Sequence, residues 1–271
     1  MPFSSLTETG LHHERAGAGE AVVLVHGSWV DGRTWDAVRP ALARSFEVVS
    51  FDRRGHSRSA PASASDTVHD DVADLAGLIE ALDLAPAHVV GASWGGSIGL
   101  RLAAIRPELV STVSVHEPPL FDLLDERGWP DLAELRAVLA SVEERLDASD
   151  REGAARLYFD RITLTPGGWD GLDAAQRSLL LANAATYLGQ CRDPDALGIE
   201  LESLSAFTGP ALVTFGDRRP PMFRRIAELV VEAMPGARGR LIPGTAHDPQ
   251  VTHPGEYVAA LEAFAAGVAQ R

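Results

Sequence analysis

The sequence of 271 residues contains no lysine, so every one of its 24 Lys+Arg residues is arginine. This absence excludes Schiff-base chemistry on lysine, a P-loop lysine and lysine acid–base catalysis. A single cysteine, Cys191, excludes an internal disulfide bond and a cysteine-based zinc site. No apolar run approaches the roughly 18 residues that a membrane-spanning helix needs. We therefore expect a cytoplasmic protein that has no membrane partner.

Basic residues are outnumbered by acidic ones, 24 to 38, so the net charge is −14 and the isoelectric point is near 5.0. A strongly acidic chain is a poor partner for nucleic acid or for an anionic membrane. With 45% hydrophobic residues, the chain is long enough to form one large domain. We expect a small-molecule substrate, no metal and no cofactor, and the sequence leaves a homo-oligomer open.

The most informative stretch is GASWGG, residues 91–96. An apolar run at 87–90 precedes it and a helix-like run at 97–104 follows it. Strand, G-x-S-x-G and helix together are typical of a nucleophile elbow, a strained turn that exposes its central serine. The pattern predicts that Ser93 is a nucleophile.

Strand and helix patterns alternate on both sides of this turn and lapse between them. Continuous apolar runs such as residues 21–25 are typical of strands that are buried on both faces of a parallel sheet. Residues 120–206 carry helical patterns (131–147, 150–162, 172–188 and 193–206) and no convincing strand. The sequence thus predicts an α/β core, residues 1–119 and 207–271, with a helical cap at 120–206 inserted after the sixth strand. At the edge of the sheet, residues 3–14 are expected to form a hairpin with the segment after residue 19.

A serine nucleophile needs a base and backbone donors for the oxyanion, and parallel sheets present such groups at the carboxyl ends of their strands. His247 follows the last predicted strand and is the expected base. The backbone N–H groups of Ser28 and Trp94 are the expected oxyanion donors. Trp29 and Phe121 are expected to line the substrate pocket. His26, before a glycine, is expected to brace its loop.

Four motifs occur in order along the chain: HGSW (26–29), DRRGHSRS (52–59), GASWGG (91–96) and GTAH (244–247). They resemble those of the α/β-hydrolase superfamily, and the stretch from 26 to 59 is closest to its cofactor-free haloperoxidase and esterase branch. The resemblance covers about residues 20–118 and 210–268. It implies the α/β-hydrolase fold, a mostly parallel sheet flanked by helices, with residues 120–206 as the variable cap.

The acid that should orient the base departs from the family pattern. The resemblance places this acid after the strand that follows the cap, where this chain has Arg219. Asp217 lies in the same loop but two residues earlier. Glu117, at the end of the strand before the cap, resembles the alternative acid position of dehalogenase-like members. We favour Glu117 and keep Asp217 as the alternative.

These residues together predict a serine hydrolase that cleaves an ester, lactone or thioester of a small, largely apolar molecule through an acyl-enzyme on Ser93. A serine at the elbow argues against the classes of enzyme in which an aspartate at this position is alkylated by the substrate. Two alternatives share the fold: a lyase, cyclase or carbon–carbon bond hydrolase in which His247 does the acid–base work, and a ligand receptor without turnover.

Overall fold

The computed structural model describes residues 3–6, 10–63, 66–163 and 168–269. Eight strands form one sheet: β1 Phe3–Leu6, β2 His12–Gly17, β3 Ala21–Val25, β4 Glu47–Phe51, β5 Ala87–Ala92, β6 Val110–His116, β7 Ala211–Gly216 and β8 Ala237–Ile242. Their spatial order is β1-β2-β4-β3-β5-β6-β7-β8. All neighbouring strands from β4 to β8 pair in parallel, whereas β2 pairs antiparallel with both β1 and β4. This confirms the predicted mostly parallel α/β-hydrolase fold.

Helices cover both faces of the sheet. They are α1 Arg39–Leu42, α2 Val68–Ala81, α3 Trp94–Ile105, α4 Pro130–Asp147, α5 Arg151–Tyr158, α6 Gly168–Gly171, α7 Ala174–Arg192, α8 Leu201–Leu204, α9 Pro221–Ala233, α10 Pro249–Thr252 and α11 Pro254–Ala269. Buried residues of α1 and α11 form one hydrophobic cluster, and those of α2, α3 and α9 belong to a second, larger one. Alternate residues of β3 point into the two clusters, as expected of a strand buried on both faces.

The pairing register places the chemically important strand ends side by side. Val25 of β3 is opposite Gly91 of β5, and Ala92 of β5 is opposite His116 of β6. His116 in turn is opposite Thr214 of β7. The residues that follow β3, β5, β6 and β7 therefore meet at one edge of the sheet.

Residues 120–206 lie between β6 and β7, and the described part of this segment contains helices and no strand. Helix α7 fastens it to the core, because the Asn183 amide accepts a hydrogen bond from Ser57 N (2.9 Å) and donates one to Trp29 O (3.0 Å). That the segment acts as a separate cap domain remains a prediction.

Two expectations about individual elements are wrong. The strand at His12–Gly17 pairs antiparallel with β1 and with β4, not with the segment after residue 19; residues 7–9 lie outside the described part. Only Leu201–Leu204 is helical within 193–206, because Pro194 and Gly198 interrupt the helical pattern. The helical pattern expected at 150–162 is confirmed, as the α-helix Arg151–Tyr158 followed by the π-helical turn Phe159–Thr163.

Among the described residues, no helix combines the length and the apolar character needed to cross a membrane.

Candidate active site

Ser93 occupies the turn between β5 and α3 in a strained backbone conformation, with φ 53° and ψ −121°. The close approach of neighbouring backbone explains the flanking glycines: a Cβ on Gly91 would lie 2.2 Å from Gly95 O, and one on Gly95 would lie 2.1 Å from Val25 O. A side chain at either position would have to displace backbone. The turn therefore has the strained, glycine-flanked geometry that the sequence predicts for a nucleophile elbow.

His247, in the loop between β8 and α10, contacts Glu117 at the end of β6. The His247 Nδ1 and Glu117 Oε2 atoms are 2.8 Å apart, and both side chains are buried. Since an ionised carboxylate only accepts hydrogen bonds, Nδ1 carries the proton of the neutral ring. The other ring nitrogen, Nε2, is then free to accept a proton.

Besides His247, two groups from the end of β7 and the loop after it contact the Glu117 carboxylate. Gly216 N donates to Oε1 at 3.0 Å, and Arg219 Nε lies 3.3 Å from the Oε2 atom that His247 contacts. Burial acts to raise the pKa of Glu117, but the hydrogen bond from His247 and the charges of His116, His247 and Arg219 lower the pKa to about 2. Glu117 is therefore an anion next to the ring of His247.

Asp217, the alternative acid, lies elsewhere. Its side chain is exposed, and its Oδ1 accepts a hydrogen bond from Gly244 N at 2.8 Å. Gly244 has a φ of +75°, so Asp217 stabilises the turn that leads to His247. Nδ1 of His247 is bonded to Glu117. The structure therefore places the acid that we favour, and not Asp217, against the expected base.

Of the two expected oxyanion donors, Trp94 directly follows Ser93 in the chain, and Ser28 lines the same cavity as Ser93. Trp94 is the first residue of α3, so its N–H has no acceptor within its own helix. Its indole Nε1 donates to the buried Asp71 Oδ2 at 2.8 Å, which fixes the ring. The Ser28 Oγ donates to Gln190 Oε1 of α7 at 2.5 Å, which links the loop after β3 to the helical segment.

A cavity of about 280 Å³ lies between the sheet edge and the helices of residues 120–206. It is lined by Ser28, Ser93, Trp94 and His247. Phe121 lines it as expected, and most of its other wall is apolar: Pro119, Leu139, Ile162, Leu197 and Phe223. Trp29 does not line the cavity. It is fully buried behind Tyr158 and Tyr187, with ring centroids 5.4 and 5.1 Å away. Trp29 has a φ of 70°, and its side chain packs in this second layer.

His26 braces its loop as expected. Its Nδ1 is 2.8 Å from Gly27 O, while Arg53 N donates to Nε2 at 2.9 Å. Both ring nitrogens are thus engaged by backbone. Burial, followed by the charge of Arg53, lowers the pKa of His26 to about 4, so the ring stays neutral near pH 7.

Sequence reasoning missed the part played by α7 in the site. Asn183, Tyr187 and Gln190 are spaced three and four residues apart and all face the core or the cavity. The helical period of these buried positions was the available signal. Within the described ranges, no group of three or more His, Cys, Asp or Glu side chains is arranged to hold a metal ion.

Comparison with known proteins agrees with this architecture. A family profile described as the alpha/beta hydrolase family matches residues 22–261. The chain belongs to this family. It is 30% identical over 254 residues to a pimeloyl-[acyl-carrier protein] methyl ester esterase from Chromobacterium violaceum, covering 92% of this chain and 95% of that one. Other curated relatives match over a shorter stretch, and there the chain spans only about two fifths of their length.

Solved structures with the same fold include an enol-lactonase and a bromoperoxidase. An enol-lactonase from Burkholderia xenovorans LB400 has a TM-score of 0.80 at 20% identity, covering 97% of this chain and all of that chain (100%). A bromoperoxidase from Bacillus anthracis has a TM-score of 0.79 at 22% identity, covering 97% and 99%. At this level of identity the likeness concerns the fold alone.

Proposed function

We propose that the protein is a serine hydrolase that cleaves an ester, lactone or thioester through an acyl-enzyme on Ser93. The observation that carries the proposal is the contact between His247 and the buried Glu117 beside the cavity that Ser93 lines. A neutral histidine that is oriented by a carboxylate and shares a cavity with a strained serine is suited to activating the hydroxyl.

In the proposed reaction, Ser93 Oγ attacks the substrate carbonyl while His247 Nε2 accepts its proton. The Ser28 and Trp94 N–H groups stabilise the oxyanion, and His247 then protonates the leaving group. A water molecule, deprotonated by His247, attacks the acyl-enzyme; His247 then returns this proton to Ser93 Oγ as the bond from Oγ to the acyl carbon breaks and the acid leaves. Glu117 keeps the imidazole oriented and stabilises its cation in both halves of the reaction.

The size and lining of the cavity support a small, largely apolar substrate. A volume of about 280 Å³ is at the low end for ligand pockets, and its apolar side chains favour hydrocarbon parts of a substrate. The relative from Chromobacterium violaceum is a methyl ester esterase, which supports a carboxylic ester as the first class to test.

The test is a panel of p-nitrophenyl esters and lactones with the wild-type protein and Ser93→Ala. We expect turnover of at least one member and a loss of about 10³-fold or more in kcat for the variant. A Ser93→Ala protein that keeps full turnover would contradict the proposal. Turnover that needs His247 but not Ser93 would favour the lyase, cyclase or carbon–carbon bond hydrolase, and tight binding without any turnover would favour the receptor.

A further inference from the structure

Arg219 is a nearly buried cation beside the candidate acid. Its side chain is 7% exposed, and its Nε lies 3.3 Å from Glu117 Oε2. The guanidinium carbon lies 4.0 Å from the centroid of the Phe223 ring, so the side chain is held from one side by an aromatic face. This arginine stands at the position where the family resemblance places the acid.

Glu117 Oε2 is shared by two groups from different loops. His247 Nδ1 approaches it at 2.8 Å from the loop after β8, and Arg219 Nε approaches it from the loop after β7. The other oxygen accepts Gly216 N. Rotation of the carboxylate away from His247 would break the hydrogen bond from Gly216 N and weaken the ion pair with Arg219, whose Nε makes no hydrogen bond to the described residues.

An isolated carboxylate at this depth would be costly, because burial without a counter-charge disfavours the ionised form. The ionisable groups that face Glu117 are His116 from β6, His247 and Arg219. His116 is buried, and that burial chiefly lowers its pKa to about 4, so it is neutral near pH 7. His247 is neutral while it acts as a base. Arg219 is then the one permanent positive charge among these three groups.

We propose that Arg219 is a positioning residue, which keeps the Glu117 carboxylate ionised and fixed against His247. The inference rests on the proposed function, in which Glu117 orients the base. Arg219 acts through Glu117, and it lets the acid occupy the end of β6 in place of the loop after β7. Without Arg219, the Glu117–His247 pair would bind an added proton more strongly. On acidification, the enzyme would then begin to lose activity at a higher pH than the wild type does.

The first experiment compares the pH dependence of kcat/KM for wild type, Arg219→Gln, Arg219→Lys and Arg218→Gln with the best ester of the panel. Arg218 is the exposed neighbour and provides the same change of charge one residue away. For Arg219→Gln we expect the acid limb to move to higher pH by about one unit and kcat to fall about tenfold, with KM little changed. Arg219→Lys should recover part of both effects because it keeps the charge but not the planar group.

Superimposable acid limbs for wild type and Arg219→Gln would overturn the proposal. An equal shift in Arg218→Gln would also overturn it, since the effect would then be one of general charge. A purely structural role would lower kcat without moving the acid limb, and that result contradicts the proposal too.

The second experiment needs no turnover, so it separates this inference from the proposed function. The side-chain carboxyl carbons of glutamate are labelled with ¹³C and titrated by NMR, and the Glu117 signal is assigned with Glu117→Gln. Arg219→Gln should raise the titration midpoint of Glu117 by about one pH unit or more, whereas Arg218→Gln should leave it in place. An unchanged midpoint in folded Arg219→Gln would refute the inference even if the protein hydrolyses esters. If that variant does not fold, Arg219→Met, which also removes the charge, gives the same readout.

Discussion

His247 and Glu117 are separated by 130 residues in sequence, yet their side chains meet at 2.8 Å in a buried contact. The contact depends on the sheet, because β6 carries Glu117 to the edge at which the loop after β8 delivers His247. Gly216, at the end of the intervening strand β7, donates to the same carboxylate.

Replacing Glu117 by glutamine should lower kcat by about 10³- to 10⁴-fold, because an amide neither fixes the proton on Nδ1 nor stabilises the imidazolium. Asp217→Asn is the matched control. Its side chain is exposed and bonded to Gly244 N, so kcat should change by no more than about twofold. Steady-state kinetics on one ester, with circular dichroism to confirm folding, decides the matter. A larger loss in Asp217→Asn than in Glu117→Gln would reverse the assignment of the acid.

The free energy of unfolding should begin to fall below about pH 6.5, which lies above the ordinary pKa values of carboxylates. His88 is buried against Ser114, and burial lowers its pKa from the ordinary 6.5 to about 4. The unfolded chain therefore binds the proton first, and the stabilisation that is present above about pH 6.5 is lost as the pH falls toward about 4. For this one residue we expect a loss of about 2 kcal/mol between pH 7 and 4.5.

The check is urea unfolding of wild type and His88→Asn at both pH values. On acidification, the free energy of unfolding should fall by about 2 kcal/mol less in His88→Asn than in the wild type. Equal losses in the two proteins would show that the burial of His88 does not make stability depend on pH.

Gly95→Ala should destabilise the protein by about 3 kcal/mol or more, because the new Cβ would lie 2.1 Å from Val25 O, a backbone atom of the central sheet. Gly77→Ala is the control, since a Cβ there meets nothing within 4 Å and the residue lies inside α2. It should be neutral or stabilise by up to about 1 kcal/mol. Thermal melting of both variants tests the pair, and a well-folded Gly95→Ala of normal stability would argue against the tight turn.

Asn183→Ala should loosen the attachment of α7 to the core. The side chain is 1% exposed and satisfies both Ser57 N and Trp29 O, so its removal leaves buried polar groups without a partner. We expect a loss of about 2 kcal/mol in unfolding free energy and a higher KM, because α7 also forms a wall of the cavity. Ser178→Ala, on the exposed side of the same helix, should stay within about 0.5 kcal/mol of wild type. Equal stabilities for the two variants would contradict this attachment.

The sequence was sufficient for features that depend on local pattern. The turn around Ser93 is set by its own glycines and by the strand and helix beside it, so its geometry follows the motif. The fold class followed from apolar runs that alternate with helical periods. The α/β-hydrolase family followed from four motifs in order, and the match over residues 22–261 confirms it.

Features that depend on register and packing were harder to predict. Which of Glu117 and Asp217 contacts His247 depends on the side-by-side placement of β6, β7 and the loop after β8, which no local pattern contains. Trp29 was expected in the pocket, but at a φ of 70° its ring packs behind two tyrosines of the helical segment. The pairing of β2 with β4 was missed because apolar and polar residues alternate only weakly over residues 3–14, and a weak pattern leaves the pairing of a strand unspecified.

The most direct test of the central claim is mass spectrometry of the protein quenched in acid during turnover of a slowly deacylating p-nitrophenyl ester. We predict an adduct equal in mass to the acyl group, located by digestion on the peptide that contains Ser93 and absent from Ser93→Ala. Turnover without any adduct on Ser93, or an adduct on another residue, would contradict a serine hydrolase mechanism.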